Sequence, residues 1–329
     1  MSADYDKIVC IDEWKPDDSS YENGYYPEGT REKAVYFSPD DVGDLPLRNR
    51  WRYLFKESRT WAPWQFWMEI MAYRIGQVMD VPVPPALVGL SNREKPGHPV
   101  YGALIEWFYS QEERYVEGAR LIGPHIPGFD YETGRQHNLQ TILGIPTFKE
   151  VPDPEENRRR LVAHWAMILT FDTVIGNVDR HPVNWGIVTP LEHEEGLVSA
   201  RHSPAFDNGT AMSYEQPEEH FSRFDNEQYT LRHLTRPRQA RHHMRWSLDE
   251  QGDMNFFDFM RRFVREFPET KDSIRGRLQF TEADLRTRLG GLPSIPVDEG
   301  CRLTERRLNF TLMLVMKRAA MLRRALEND

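Results

Sequence analysis

Asp179 lies five residues before Asn184, and Asp207 follows that Asn by twenty-three residues. The first two sit in Ile175-Gly176-Asn177-Val178-Asp179-Arg180-His181-Pro182-Val183-Asn184-Trp185-Gly186, directly after an apolar stretch. The third sits in Ala205-Phe206-Asp207-Asn208-Gly209. One carboxylate can accept the proton of an attacking hydroxyl. A second carboxylate and an amide oxygen can hold Mg²⁺ against the phosphates of a nucleotide. These residue types at this spacing point to phosphoryl transfer. Asx residues also make ordinary turns, but three Asx, an Arg and a His within eight residues exceed what a turn needs. Asp179 and His181 could also ligate a hydrolytic metal, yet His164 and His202 are poorly spaced to complete such a site.

Phosphoryl transfer depends on positioning and charge neutralisation more than on covalent help. Further groups should therefore stand upstream. Gly29-Thr30-Arg31-Glu32-Lys33 could form a phosphate cradle, since glycine lets backbone N–H groups approach phosphate oxygens; the same stretch also reads as an ordinary turn. Lys56 ends a run of large apolar residues and could reach the α- and β-phosphates, or be a solvated lysine at a strand end. Glu69, thirteen residues on, could pair with it or lie on the surface. Leu104-Ile105-Glu106-Trp107-Phe108 could supply a backbone hinge for adenine at Glu106 and Phe108, or be plain strand core. His181 could pack against the loop and hold it.

The elements that must carry these groups follow from residue pattern. Residues 34–37, 51–56, 86–90 and 101–108 read as strands, being β-branched and aromatic runs bounded by Gly, Pro and Asp. Residues 64–79 show a helical apolar face in Trp67, Ile70, Met71, Ile75 and Val78, ended by Pro82, Pro84 and Pro85. Residues 155–174 read as a long helix leading into the Asp179 loop. Residues 187–188 and 205–206 read as short strands, 123–154 as loops, and 256–267 and 304–327 as helices. The expectation is an α+β chain of two lobes: a sheet-rich nucleotide-binding part over 1–109 and a mainly helical catalytic part over 110–329. A cleft between such parts is a usual place for a small-molecule site.

Composition agrees with a packed globular protein. The 329 residues are 39% hydrophobic and include nine Trp. A formal charge of −9 argues against a protein that coats nucleic acid, and no direct DNA binding is expected. The basic run 232–245 reads as a solvated face or a dock for an acidic partner. Cys10 and Cys301 form neither a zinc cluster nor a disulfide framework. The acidic N-terminus has no leader pattern, and no apolar run spans a bilayer, so a cytoplasmic protein without a membrane partner is expected.

The residues Gly29-Thr30-Arg31-Glu32-Lys33, Tyr53-Leu54-Phe55-Lys56, Glu69, Gly176 to Asn184 and Phe206-Asp207-Asn208-Gly209 together resemble the HipA-like kinases, over about residues 25–250. The specific part is Asn177-x-Asp179-x-His181-x-x-Asn184. The resemblance implies a bilobed, protein-kinase-like fold, ATP and Mg²⁺, and transfer to Ser or Thr of a protein. It implies Lys56 on the phosphates, Asp179 as base, and Asn184 and Asp207 as metal ligands. It also implies a toxin-like role, with an aminoacyl-tRNA synthetase or another translation protein as target, and an antitoxin as partner. The short lead-in before Gly29 looks like the stand-alone members. Some relatives are silenced by phosphorylation of a Ser just before the glycine; here Tyr26-Pro27-Glu28 stands there, and Thr30 is the nearest hydroxyl. Two other readings remain open: a nucleotide-binding pseudokinase module, or a kinase of a small molecule or lipid head group.

Overall fold

The computed structural model describes residues 5–17, 32–93, 98–145, 153–191, 200–237, 240–250 and 254–327. Strands β1 (Ile8–Cys10), β2 (Lys15–Pro16), β3 (Lys33–Phe37), β4 (Arg52–Glu57), β5 (Ala86–Ser91) and β6 (Val100–Glu106) form a six-stranded sheet ordered β1-β5-β6-β4-β3-β2. Only the β1–β5 pairing is parallel. Helix α1 (Phe66–Met79) packs on β5 and β6 and is buried along most of its length. Gly76 lets the chain fold back closely after the helix, because a Cβ there would stand 2.5 Å from Val83 Cγ2 and 2.9 Å from Val81 O.

A second sheet, β7 (Glu113–Glu117), β8 (Gly186–Pro190) and β9 (Arg201–His202), lies in the other lobe. The helices that follow are α2 (Gly118–Ile122), α3 (Leu139–Leu143), α4 (Pro154–Ile175), α5 (Glu227–Thr235), α6 (Phe256–Glu266), α7 (Lys271–Arg277), α8 (Glu282–Leu289) and α9 (Glu305–Glu327). The architecture is thus α+β: a mixed-sheet lobe over a helical lobe. Among the described residues no helix is long and apolar enough to cross a membrane.

Helix α4 is the spine of the second lobe and packs against α6, α7 and α9. Its start is fixed by Asp153, whose carboxylate accepts the Glu155 N–H at 3.0 Å, by Pro154, and by Glu155 and Glu156 in the first turn. Its end is fixed by Gly176 in the left-handed region, at φ 69°. A Cβ on Gly176 would lie 2.4 Å from the guanidinium carbon of Arg318 on α9.

Two expectations are corrected here, and one strand, β7, is added. Residues 205–206 are loop, not strand: the partner of β8 is β9, where Ile187 faces His202. Beyond it the chain peels away, and the Ala205 N–H goes to Pro82 O at 2.8 Å. The stretch 123–154 is not all loop, since α3 forms there behind an Asn138 cap. Strand β7 was hidden by its charged sequence, in which only Tyr115 is fully buried.

Gly176→Ala would force a left-handed alanine and push on Arg318. A loss of at least about 1 kcal/mol in urea unfolding is expected.

Candidate active site

Lys56 is placed by β4, in cross-strand register with Lys33 on β3 and Ala103 on β6. Its ammonium is buried, at 4% residue exposure, and pairs with two carboxylates. Lys56 Nζ donates to Glu69 Oε1 at 2.7 Å and to Asp207 Oδ1 at 2.5 Å. Glu69 comes from the first turn of α1, and its other oxygen accepts the Asn208 N–H at 2.9 Å. Gln65 adds a bond from its amide to Gly209 O at 2.9 Å. Asp207 itself is held at φ 55°, an uncommon conformation for a non-glycine residue. Residues 56, 69 and 207, far apart in sequence, therefore meet at one point.

Asp179 and Asn184 are brought to the same region by the segment after α4. Asn177 Oδ1 accepts the Asp179 N–H at 3.0 Å, and Asn184 Nδ2 donates to Asp179 O at 2.9 Å. The pKa of Asp179 is raised from the ordinary aspartate value, first by burial and then by the nearby Asp207 charge.

Arg180 is the residue that sequence reading left without a role. It is fully enclosed, at 2% exposure, and its guanidinium clasps Asp172 of α4 at 2.7 and 3.0 Å. It also donates to Asn184 O at 3.1 Å, to Asn208 Oδ1 at 2.9 Å and to Phe206 O. Burial opposes its charge, but the Asp172 carboxylate outweighs that and keeps its pKa high. The available signal was Asp172 itself, a carboxylate between Phe171 and Thr173 in a largely apolar helix end.

A cavity of about 330 Å³ opens above Lys56, Asn184 and Asp207, within the range of small-molecule sites. Lys33, Leu54, Ile105, Glu106, Phe108 and Phe206 are among its walls. Phe108 and Phe206 stack with centroids 5.0 Å apart, and Tyr115 meets both edge-on. At the strand end, the Glu106 N–H bonds Pro85 O at 2.8 Å, and Pro85 has no N–H to return to the Glu106 carbonyl. The Phe108 N–H makes no hydrogen bond among the described residues. This strand end thus offers one backbone acceptor and one backbone donor toward the cavity.

Asn184 spends its amide N–H on Asp179 O, which leaves Oδ1 to act as a ligand beside the Asp207 carboxylate. Two hard oxygens suit Mg²⁺ shared with phosphates. Among the described residues no group of three or more His, Cys, Asp or Glu is placed to hold a metal ion. His181 does not line the cavity. Its ring packs 4.8 Å from that of His243, and its carbonyl accepts the Asn184 N–H at 2.8 Å. Gly29 and Thr30 lie outside the described residues. The basic run 232–245 is no simple solvated face, since His233 and His242 are buried.

Under the loop, His137 accepts the Trp185 indole N–H on Nε2 at 3.0 Å and so donates from Nδ1 to His243 O at 2.5 Å. It is a neutral imidazole, its pKa pushed down to about 3 chiefly by burial.

No protein-family model matches the chain, and no curated protein sequence matches it. Solved structures do. The crystal structure of the Helicobacter pylori proinflammatory kinase CtkA aligns with TM-score 0.74 and 14% identity, over 98% of this chain and 99% of that one. The chain has the CtkA fold. HipA from Shewanella oneidensis MR-1, solved as a toxin–antitoxin system with HipB and operator DNA, aligns with TM-score 0.52 and 11% identity. That alignment takes in 96% of this chain and 73% of HipA. The HipA-like resemblance of the motifs is thus supported by the fold.

Two measurements test this geometry. Asp172→Asn strands a buried guanidinium charge and should cost about 3–5 kcal/mol in urea unfolding. Burial also holds His137, His202, His233, His242 and His243 at about 3 or 4, against about 6.5 when unfolded. Their neutral burial is fully stabilising above about pH 6.5 and is lost as pH falls toward those values. The urea midpoint should decline steadily from neutral pH to about pH 4.5.

Proposed function

We propose that the protein is an ATP- and Mg²⁺-dependent kinase that moves the γ-phosphoryl group of ATP to a Ser or Thr hydroxyl of a protein. One observation carries the reading. Lys56, held by Glu69, and Asp207 line a cavity of small-molecule size, while Asp179 lines a separate, neighbouring cavity. That is the division a phosphotransferase needs between its two substrates.

In this reading Lys56 and Lys33 neutralise phosphate charge, and Glu69 fixes Lys56. The Glu106 carbonyl and the Phe108 N–H take adenine. Mg²⁺, when bound, neutralises the transferring group, and Asn184 and Asp207 would hold it. The acceptor oxygen bonds to the γ-phosphorus as the bond to the β,γ-bridging oxygen breaks and ADP leaves. The hydroxyl proton passes to the Asp179 carboxylate. His181 supports the loop rather than touching nucleotide. The lobe over 1–109 supplies Lys33, Lys56, Glu69 and the Glu106–Phe108 strand end, and the lobe over 110–329 supplies Asp179, Asn184 and Asp207, in a cytoplasmic enzyme.

HipA was solved with HipB and operator DNA. By analogy an antitoxin is a candidate partner here, and an aminoacyl-tRNA synthetase or other translation protein a candidate substrate.

Asp179→Asn should keep the fold and lower transfer by at least about 100-fold. Labelling of a cytoplasmic lysate with γ-labelled ATP reads this directly. ATP consumption without a labelled protein would move the acceptor to a small molecule or lipid head group. Nucleotide binding without turnover would make the chain a pseudokinase module. Because Asp179 must be ionised to take a proton, kcat/KM should rise with pH through a pKa above the ordinary aspartate value, a limb absent in the Asn variant.

A further inference from the structure

The cavity that Asp179 faces has a volume of about 430 Å³ and is lined also by Arg59, Thr210, Ser213, Glu215 and Arg318. Arg318 is unusual among these. It is 1% exposed, and its Nε and Nη1 have no hydrogen-bond partner among the described residues. A guanidinium is the side chain least able to shed its charge on burial. Burial pushes the Arg318 pKa down only to about 10, with Glu215 acting in the other direction, so it is a cation at neutral pH. An enclosed cation with unmet N–H groups is costly unless something supplies acceptors. The C-terminal turn of α4, on which the guanidinium lies at Gly176, offers only partial compensation.

The rest of the wall is built with similar care. Thr210 Oγ1 is buried with no hydrogen-bond partner among the described residues. Met212 and Ser213 both hold positive φ, at 56° and 55°, and Ser213 Oγ is 2.8 Å from His233 Nε2. Strained non-glycine backbone of this kind persists only where its surroundings enforce it, and it gathers at ligand sites. The cavity is therefore dipolar, with Asp179 and Glu215 of one sign and Arg59 and Arg318 of the other.

We propose that this cavity holds the phosphate acceptor, and that the acceptor carries a carboxylate or phosphate beside its hydroxyl, taken by Arg318 and Arg59. The inference rests on the phosphotransfer reading above and narrows its substrate. The hydroxyl goes to Asp179, and the anionic group to the guanidinium whose Nε and Nη1 lack hydrogen-bond partners among the described residues. Charge-assisted bonds from a buried guanidinium are strong and geometrically selective, so the site discriminates by charge and not by bulk.

The test compares serine peptides flanked by Glu, Gln or Lys, and glycerol 3-phosphate against glycerol, with the full chain and Mg·ATP. At least one anionic acceptor should show a KM at least about 10-fold below its neutral counterpart, since each lost charged contact is worth about that factor or more. The peptide and glycerol arms tell which source supplies the anion. Arg318→Met and Arg59→Gln should each shrink that KM ratio; the half-exposed Arg59 keeps the test valid where Arg318→Met fails to fold. A purely structural Arg318 would lower stability and leave the ratio intact, which overturns the inference, as does equal KM for anionic and neutral acceptors. A second readout does not need turnover. With the nucleotide site saturated by a non-hydrolysable ATP analogue and Mg²⁺, inorganic phosphate should raise the Tm of the wild type and not of Arg318→Met. Absent turnover with this shift present sinks the kinase reading and keeps the anion site. No shift and no anionic preference sinks the anion site alone.

Discussion

A single buried guanidinium sets the architecture around the candidate site. Arg180 cannot lose its proton, so every N–H it brings inside must meet an acceptor. Those acceptors come from three places: the Asp172 carboxylate at the end of α4, the Asn184 carbonyl in the loop, and Phe206 and Asn208 in the turn beyond β9. Each partner belongs to a different segment, and none can move without stranding charge. The pair with Asp172 is thus less a source of net stability than a device that fixes one arrangement among the many a polar loop could adopt.

Lys56 does for the interface of the two lobes what Arg180 does within the second. Its two carboxylate partners come from α1 and from the Asp207 turn, and the Asn208 N–H closes the circuit through Glu69. A lysine on the inner face of a sheet would otherwise be expelled toward water. Here opposite charge on both sides keeps it in place, directly below an aromatic-walled cavity. The chemistry proposed for these groups uses the same charges that hold the lobes in register.

Much of this was legible in the sequence because the chemistry is local there. Asp179, Asn184 and Asp207 stood out by type and spacing, and Lys56 and Glu69 by their place on a strand and a helix. The apolar periods of α1, α4 and α9 were clear for the same reason: each buries a continuous face. What escaped was non-local. Arg180 looked like any loop arginine until α4 and the Asp207 turn supplied its acceptors. The pairing of β7 with β8 could not be read from Glu113-Arg114-Tyr115-Val116-Glu117, whose charges mask its alternation. Arg318 lies on α9 among other basic residues, and its burial and the approach of Gly176 show that this one turns inward. The His181 ring packs on that of His243 while its carbonyl accepts the Asn184 N–H, a contact across the chain that residue spacing does not show.

The Glu69 carboxylate has a wider consequence. One of its oxygens holds Lys56 and the other holds the backbone of the Asp207 turn, while Gln65 grips Gly209 one turn earlier on the same helix. A rigid α1 therefore cannot rotate outward and leave the turn behind. Any influence that steadies the turn steadies the helix by the same free energy, and the reverse holds by linkage. The two elements form one cooperative body, so control over this molecule would have to act on both at once or on neither.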